Sequence, residues 1–197
     1  MWRSYLMYKS ILLVIFLCLA SSCTGVPDHI KVVQSMDASQ YLGTWYEIAR
    51  LDNRFERGLD NVTATYQMRD DGGIKVTNKG YSVENKVWKE AIGKAYFMDK
   101  PNADGTRTGR LKVSFFGPFY GGYNIITLDK PYYNYVMLCG PNKDYFWILS
   151  RTPQLAYPIK QHLIAQAKEL GFATDALIYV NQTPELVNYD AGGHIVK

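Results

Sequence analysis

The chain contains 197 residues, 47% of them hydrophobic and 14% aromatic, and this composition excludes a disordered protein and suffices for one domain with its own core. Its net charge of +4 is small, and lysine and arginine are dispersed among acidic residues, which argues against a nucleic-acid partner. The 16 tyrosines favour strands, because aromatic side chains suit a pleated, half-buried surface.

The first element is an N-terminal targeting signal. Arg3 and Lys9 precede an unbroken apolar run over 11–20, and two serines and Cys23 follow it directly. A basic region, a short apolar run and small residues are typical of a secretory signal. The run is shorter than the ~20 apolar residues of an ordinary membrane-spanning helix, so a permanent N-terminal anchor is the alternative interpretation.

The stretch Leu19-Ala20-Ser21-Ser22-Cys23 resembles the cleavage box of bacterial lipoproteins. The resemblance implies removal of a signal peptide over 1–22 and acylation of Cys23, whose several acyl chains would hold the protein in a membrane. Thr24 in the next position implies sorting to the outer membrane. Ala20 stands where the family usually has leucine, so cleavage by the ordinary signal peptidase stays open.

After a predicted tether over 23–34, short segments rich in β-branched and aromatic residues alternate with turn residues. Asp70-Asp71-Gly72-Gly73 is typical of a tight hairpin, because Asp-Gly tolerates positive φ. The near-regular spacing of eight strands indicates an antiparallel sandwich or barrel. The predicted strands cover 45–51, 62–68, 74–79, 87–98, 111–116, 123–128, 135–139 and 146–150.

One segment has the periodicity of a long helix. Pro158 suits its first turn and Gly171 its end. A single apolar stripe is predicted from Ile159, Leu163, Ala167 and Leu170. A last strand over 177–181 follows the helix.

The order of these elements favours an all-β fold, in which an eight-stranded antiparallel up-and-down β-barrel carries one C-terminal α-helix packed on its wall. The barrel and helix are predicted over 35–182, and a C-terminal tail over 183–197.

Three short motifs, in order, resemble the signatures of the lipocalin family. The first is Gly43-Thr44-Trp45, the second is Asp129 with Asn134-Tyr135, and the third is Arg151-Thr152-Pro153 after an apolar strand. The stretches 54–59 and 115–124 are similar to the bacterial branch of that family. The resemblance implies a barrel closed at one end and just wide enough for one small ligand.

By this resemblance Gly43, Trp45, Asp129 and Arg151 are structural residues. A tryptophan at the floor fills the closed end of the barrel. An arginine over its face gains cation–π attraction of about 0.5–2 kcal/mol and can also donate to backbone carbonyls.

Strand alternation then predicts which side chains face the lumen. If Arg151 points inward, Leu149, Trp147 and Tyr145 share its face, and a slip of one residue would invert that face. Ala64, Val76 and Ile125 are expected inside by the same alignment, and Phe55 and Tyr120 at the mouth. The predicted ligand-binding residues are Phe55, Tyr66, Asn78, Val113, Phe115, Tyr120, Tyr123, Tyr145 and Trp147.

The resemblance implies a function without catalysis, cofactor or metal. The protein is expected to bind and store or transport fatty acids or lysophospholipids at the bacterial outer membrane, with its barrel facing the periplasm. Arg54 and Arg57 near the mouth would meet a carboxylate or phosphate, or stay solvated. Exposed aromatic residues at 116, 119 and 120 would rest on lipid or form a homodimer contact, and the sequence does not choose between them.

Two other functions stay open. Some lipocalins transform their ligands, so an enzyme acting on a lumenal lipid is one alternative, and a reactive Cys139 facing the lumen would favour it. A haem or tetrapyrrole carrier is the other, and the lack of a histidine predicted in the lumen counts against it. His29, His162 and His194 form no zinc motif, so a metal site has no support.

Overall fold

The computed structural model describes residues 24–130 and 132–183. The predicted signal over 1–22, Cys23 and the tail from 184 onward lie outside the described residues. The strands are β1 Gly43–Arg50, β2 Leu59–Met68, β3 Ile74–Ser82, β4 Val87–Phe97, β5 Arg110–Phe116, β6 Phe119–Leu128, β7 Tyr135–Cys139, β8 Phe146–Ser150 and β9 Ile178–Tyr179. The helices are α1 Ala38–Tyr41, α2 Tyr157–Glu169 and a 3₁₀ turn, Thr174–Ala176. In this part of the chain, no helix is both long and apolar enough to cross a bilayer.

Strands β1 to β8 form a closed antiparallel barrel with one helix, which confirms the predicted fold. Each strand pairs with the next along the chain, and β1 pairs with both β2 and β8. Trp45 lies opposite Ala64 on one side of β1, and Glu47 lies opposite Leu149 on the other. Closure gives all eight strands two neighbours. The short β9 adds two residues beside the end of β1, at Ala49 and Arg50.

The largest departure from the predicted strands is β6, which begins at Phe119 rather than at 123. The chain reverses at once through Gly117 and Pro118, so Gly121 already pairs with Val113 of β5. Two adjacent glycines, at 121 and 122, follow the hairpin. In the structure they lie within the strand, because the hairpin has ended before them.

Alternation along the strands produces two separate apolar cores. One fills the lumen and includes Trp45, Tyr66 and Ile125. The other lies outside the wall, where Phe146 and Ile148 pack with the buried helical residues Leu163 and Ala167 of α2, while Ile159 and Leu170 pack at its margin. The predicted stripe of α2 therefore does pack on the barrel.

The segment from Thr24 to Met36 is not the free tether that the sequence predicts over 23–34. Ile30 and Met36 are buried. The Val33 N–H donates to the carbonyl of Ile125, and the Gly109 N–H donates to the carbonyl of Val33. Because its apolar side chains are buried and its backbone is paired, this segment is part of the fold.

Candidate functional site

The floor of the barrel is built around Trp45. This side chain is fully buried at the start of β1, and its Nε1–H donates to the carbonyl of Tyr41 at 2.9 Å. Tyr41 ends α1, which begins where the Asp37 carboxylate accepts a hydrogen bond from the Ser39 N–H. The short helix thereby crosses the end of the barrel and closes it.

Arg151 holds the parts of this floor together. Its guanidinium carbon lies 3.8 Å from the centre of the Trp45 ring. Its N–H groups donate to the carbonyls of Tyr133, Thr44 and Gln40, at 3.2, 3.0 and 2.6 Å. One side chain thus joins the loop before β7, the start of β1 and α1.

Gly43 and Asp129 complete the closed end. Gly43 has a φ of +92°, and a Cβ there would lie 3.4 Å from a guanidinium nitrogen of Arg151. A side chain is therefore disfavoured both by the backbone conformation and by crowding. The Asp129 carboxylate accepts from the Asn134 N–H at 3.2 Å and its carbonyl from the Tyr133 N–H at 2.7 Å, which shapes the loop that Arg151 contacts.

Above this floor the lumen contains a cavity of about 110 Å³. The lining is mainly apolar and aromatic, with contributions from seven strands and one loop. Its residues are Glu47, Glu56, Val62, Thr63, Ala64, Tyr66, Val76, Asn78, Val113, Phe115, Gly122, Tyr123, Leu138, Trp147 and Leu149. Ordinary ligand pockets measure ~300–1,000 Å³, so a long ligand enters only if lining side chains move or part of it stays in the mouth.

Three tyrosine hydroxyls form a chain at the lower end of the lumen. The hydroxyl of Tyr123 lies 2.6 Å from that of Tyr41 and 2.8 Å from that of Tyr66. Burial raises the pKa of all three phenols above the ordinary value. They therefore stay protonated, and each has a polar partner within an otherwise apolar region.

The opposite end of the cavity is acidic. The Glu47 carboxylate is buried and accepts a hydrogen bond from Arg50 at 2.7 Å. The loop between β1 and β2 brings in Glu56, whose carboxylate accepts from Trp147 Nε1–H at 2.9 Å and from Asn53 at 2.7 Å. Burial raises the pKa of Glu47 well above its ordinary value, the carboxyl of Glu56 raises it further, and Arg50 opposes both.

Most of the predicted ligand-binding residues come together here. The structure places Tyr66, Asn78, Val113, Phe115, Tyr123 and Trp147 in the lining of one cavity. Tyr145 does not line it but stacks on Trp147, with ring centres 6.2 Å apart. That any of these side chains touches a ligand stays a prediction.

Tyr120 and Phe55 were both predicted at the mouth, and neither lines the cavity. Tyr120 lies on the outer wall, where its ring packs near Tyr96 and under the Lys112 ammonium at 4.9 Å. The early start of β6 explains this, since alternation then turns 121 and 123 inward and 120 outward. Phe55 is 60% exposed in the mouth loop, and Arg54 stacks on its outer face.

Neither mouth arginine reaches the cavity. Arg57 pairs with Asp52 in solvent, and Arg54 is exposed. Phe116 and Phe119 are 73% and 78% exposed at the open end, and their contact with lipid or with a second copy stays a prediction.

Sequence reasoning missed Glu47 and Glu56. For Glu47 a signal was present, because it lies two residues after Trp45 and so shares its inward face. Glu56 carries no such signal, since loop residues have no fixed alternation.

Cys139, which would have favoured catalysis had it faced the lumen, belongs to the outer core beneath α2. Burial raises the pKa of its thiol to about 12, so it is not a nucleophile at neutral pH. Among residues 24–130 and 132–183, no three His, Cys, Asp or Glu side chains come together to hold a metal ion.

Comparisons with known proteins agree with this architecture. A family model for the lipocalin-like domain matches residues 36–182. The outer membrane lipoprotein Blc of Citrobacter freundii is 54% identical over 167 residues, which cover 85% of this chain and 91% of that protein. The protein of the same name from Vibrio cholerae is 50% identical over 174 residues, 88% of this chain and 99% of that one. Temperature-induced lipocalin-1 of Arabidopsis thaliana is 33% identical and covers 80% of this chain and 83% of its own length.

Solved structures share the fold at much lower identity. Insecticyanin from the tobacco hornworm Manduca sexta superposes with a TM-score of 0.63 at 22% identity, covering 83% of this chain and 89% of that chain. Lobster apocrustacyanin A1 superposes with a TM-score of 0.56 at 19% identity, covering 81% and 94%.

Proposed function

Because this chain belongs to the lipocalin family, we propose that its barrel binds one amphiphile with a long alkyl chain, a fatty acid or a lysophospholipid, and stores or carries it. The observation that carries the proposal is the cavity between the Trp45 floor and the Glu56 loop. Its walls are mainly apolar and aromatic, with tyrosine hydroxyls toward the floor and the carboxyl groups of Glu47 and Glu56 toward the mouth. Such a cavity suits a molecule with a long apolar body and one polar end.

The energetics favour a chain-like ligand. Burying 16 methylenes would contribute at most about 13 kcal/mol. Ordering the chain and losing its free motion offset a large part, which leaves room for micromolar or tighter binding. A narrow cavity also admits a flexible chain more readily than a flat, rigid tetrapyrrole.

We propose further that the protein works at the bacterial outer membrane, anchored through acylated Cys23 with its barrel in the periplasm. The support is the lipoprotein-like cleavage box together with relatives whose names call them outer membrane lipoproteins. We propose binding rather than catalysis because the lumen of the described chain contains no nucleophile–base pair or metal cluster.

Native mass spectrometry and lipid extraction test the proposal first, followed by titration of palmitate and of a palmitoyl lysophospholipid against tryptophan fluorescence. We expect saturable changes that Trp147→Phe removes. Trp88→Phe is the matched control, because that ring lies on the outer wall beneath the Lys79 ammonium. No co-purified lipid and no saturable response to either ligand would contradict the proposal.

A further inference from the structure

The lining of the cavity contains acidic side chains and no basic ones among the described residues. Glu47 and Glu56 both line it, and among the residues that the structure describes no lysine, arginine or histidine does. A cavity that receives a free carboxylate would be expected to offer a cation or several N–H donors to that group. This one offers two carboxyl groups instead.

Arg50 adds no positive charge to the lining of the cavity. It lies behind Glu47, outside the lining, and is itself buried. One N–H nitrogen donates to Glu47, and the other donates to the carbonyls of Glu56 and Leu59, at 2.8 and 3.4 Å. The guanidinium nitrogens that donate are therefore directed at Glu47 and at backbone carbonyls, and both carboxyl groups keep their place in a lining to which the described chain contributes no cation.

A third polar group in the lining points to the same ligand chemistry. The side-chain carbonyl oxygen of Asn78 is buried and has no hydrogen-bond partner within the protein. Buried acceptors without a donor are unfavourable. A ligand with N–H groups would supply the donor that the Asn78 oxygen lacks.

We infer that the polar end of the cavity recognises a cationic amine, so that the preferred ligand is an amphiphile ending in an ammonium group rather than a free carboxylate. This rests on the proposed function, since it assumes that an alkyl chain fills the cavity. An ammonium beside Glu56 meets carboxyl oxygens that can accept its N–H groups, with no cation of the described chain in the lining to repel it. A ligand carboxylate in the same place adds a third acidic group where burial already disfavours charge.

Three probes share one alkyl chain and differ in the charge of the head group: dodecylamine, dodecanol and dodecanoate. Comparing them separates the effect of that charge from the effect of burying the alkyl chain. The full-length chain is expressed in a bacterial host, so that its N-terminus receives its normal processing, then delipidated and held in a non-ionic amphipathic polymer. Isothermal titration calorimetry at neutral pH gives the three dissociation constants. We expect the order amine, alcohol, carboxylate, with at least about tenfold between the first and the last.

Glu56→Gln tests the assignment with little risk to the fold, because glutamine can still accept from Trp147 and Asn53. We expect the ratio of amine to carboxylate affinity to fall by about tenfold or more in this variant. Glu84→Gln makes the same change of charge in an exposed loop at the same end of the barrel, and we expect it to leave the ratio unchanged.

The outcomes separate the two proposals. Equal affinities for the three probes, tighter binding of dodecanoate, or an unchanged ratio in Glu56→Gln would overturn the inference and leave the alkyl-chain proposal standing. No binding of any probe, together with no binding of the palmitoyl ligands, would overturn both.

Discussion

Replacing Arg151 should loosen the closed end of the barrel without touching the cavity lining. Arg151→Ala removes a cation–π contact worth about 0.5–2 kcal/mol and three hydrogen bonds from a charged donor, each worth about 1.5–3 kcal/mol where water is excluded. The carbonyls of Thr44 and Gln40 lie in an exposed region, so water replaces part of what is lost. We therefore expect the free energy of unfolding to fall by about 2–4 kcal/mol.

Urea unfolding followed by circular dichroism measures this loss, and thermal unfolding should show a Tm lower by about 5–15 °C. Arg151→Lys should fall between the parent and the alanine variant, because an ammonium keeps the attraction to Trp45 but cannot serve three carbonyls at once. Arg107→Ala is the control. That arginine also stacks on an aromatic ring, Phe97 at 4.9 Å, but donates to one carbonyl, so its loss should stay below about 1 kcal/mol.

The reasoning would be refuted if Arg151→Ala cost no more than Arg107→Ala. It would also fail if Arg151→Lys matched the parent, since attraction to the ring alone would then account for the stability of the closed end.

Three further predictions concern other parts of the wall. Tyr123→Phe leaves the two phenols that it joins without a shared partner, so the free energy of unfolding should fall by about 1–3 kcal/mol in urea, and no change would contradict the hydroxyl chain. Because burial raises the pKa of Cys139 to about 12, mass spectrometry should find its peptide unlabelled by iodoacetamide at pH 8 until the protein is unfolded; prompt labelling of the native protein would contradict its place beneath α2. Gly93→Ala brings a Cβ within 2.7 Å of the Ser114 carbonyl and should cost about 1–3 kcal/mol, whereas Gly121→Ala, which meets nothing within 4 Å, should cost less.

Strand alternation explains what could be predicted of the lumen. Once Arg151 is set inward, the rule that every second residue shares a face places Trp147 and Leu149 in the lumen, and both line the cavity. The same rule works on β2 and β3 for Tyr66 and Asn78, because those strands pair regularly through this stretch. In long, regularly paired strands, the sequence alone therefore indicates which side chains face the lumen.

The same rule fails where the chain departs from regular pairing. Tyr120 was predicted at the mouth without a face, and it follows the tight hairpin of β5 and β6, where it packs on the outer wall beside Tyr96. Glu56 enters the cavity from a loop, where Asn53 and Trp147 hold it, and that geometry depends on contacts between residues far apart in sequence. The acidic end of the cavity therefore required the structure.

The outer core stabilises the wall of the barrel, and the inner core surrounds the candidate binding cavity. The outer core packs against α2 with no lining residue of the cavity among its members, so Ile148 and Phe146 stabilise the wall from behind. The inner core, by contrast, includes the cavity lining and must leave space for a ligand, which forgoes contacts that a filled barrel would make. The outer core and the Arg151 floor therefore stabilise the wall through residues that do not line the cavity. Packing of α2 on the outside thus adds apolar contacts to a wall whose inner face borders an open cavity.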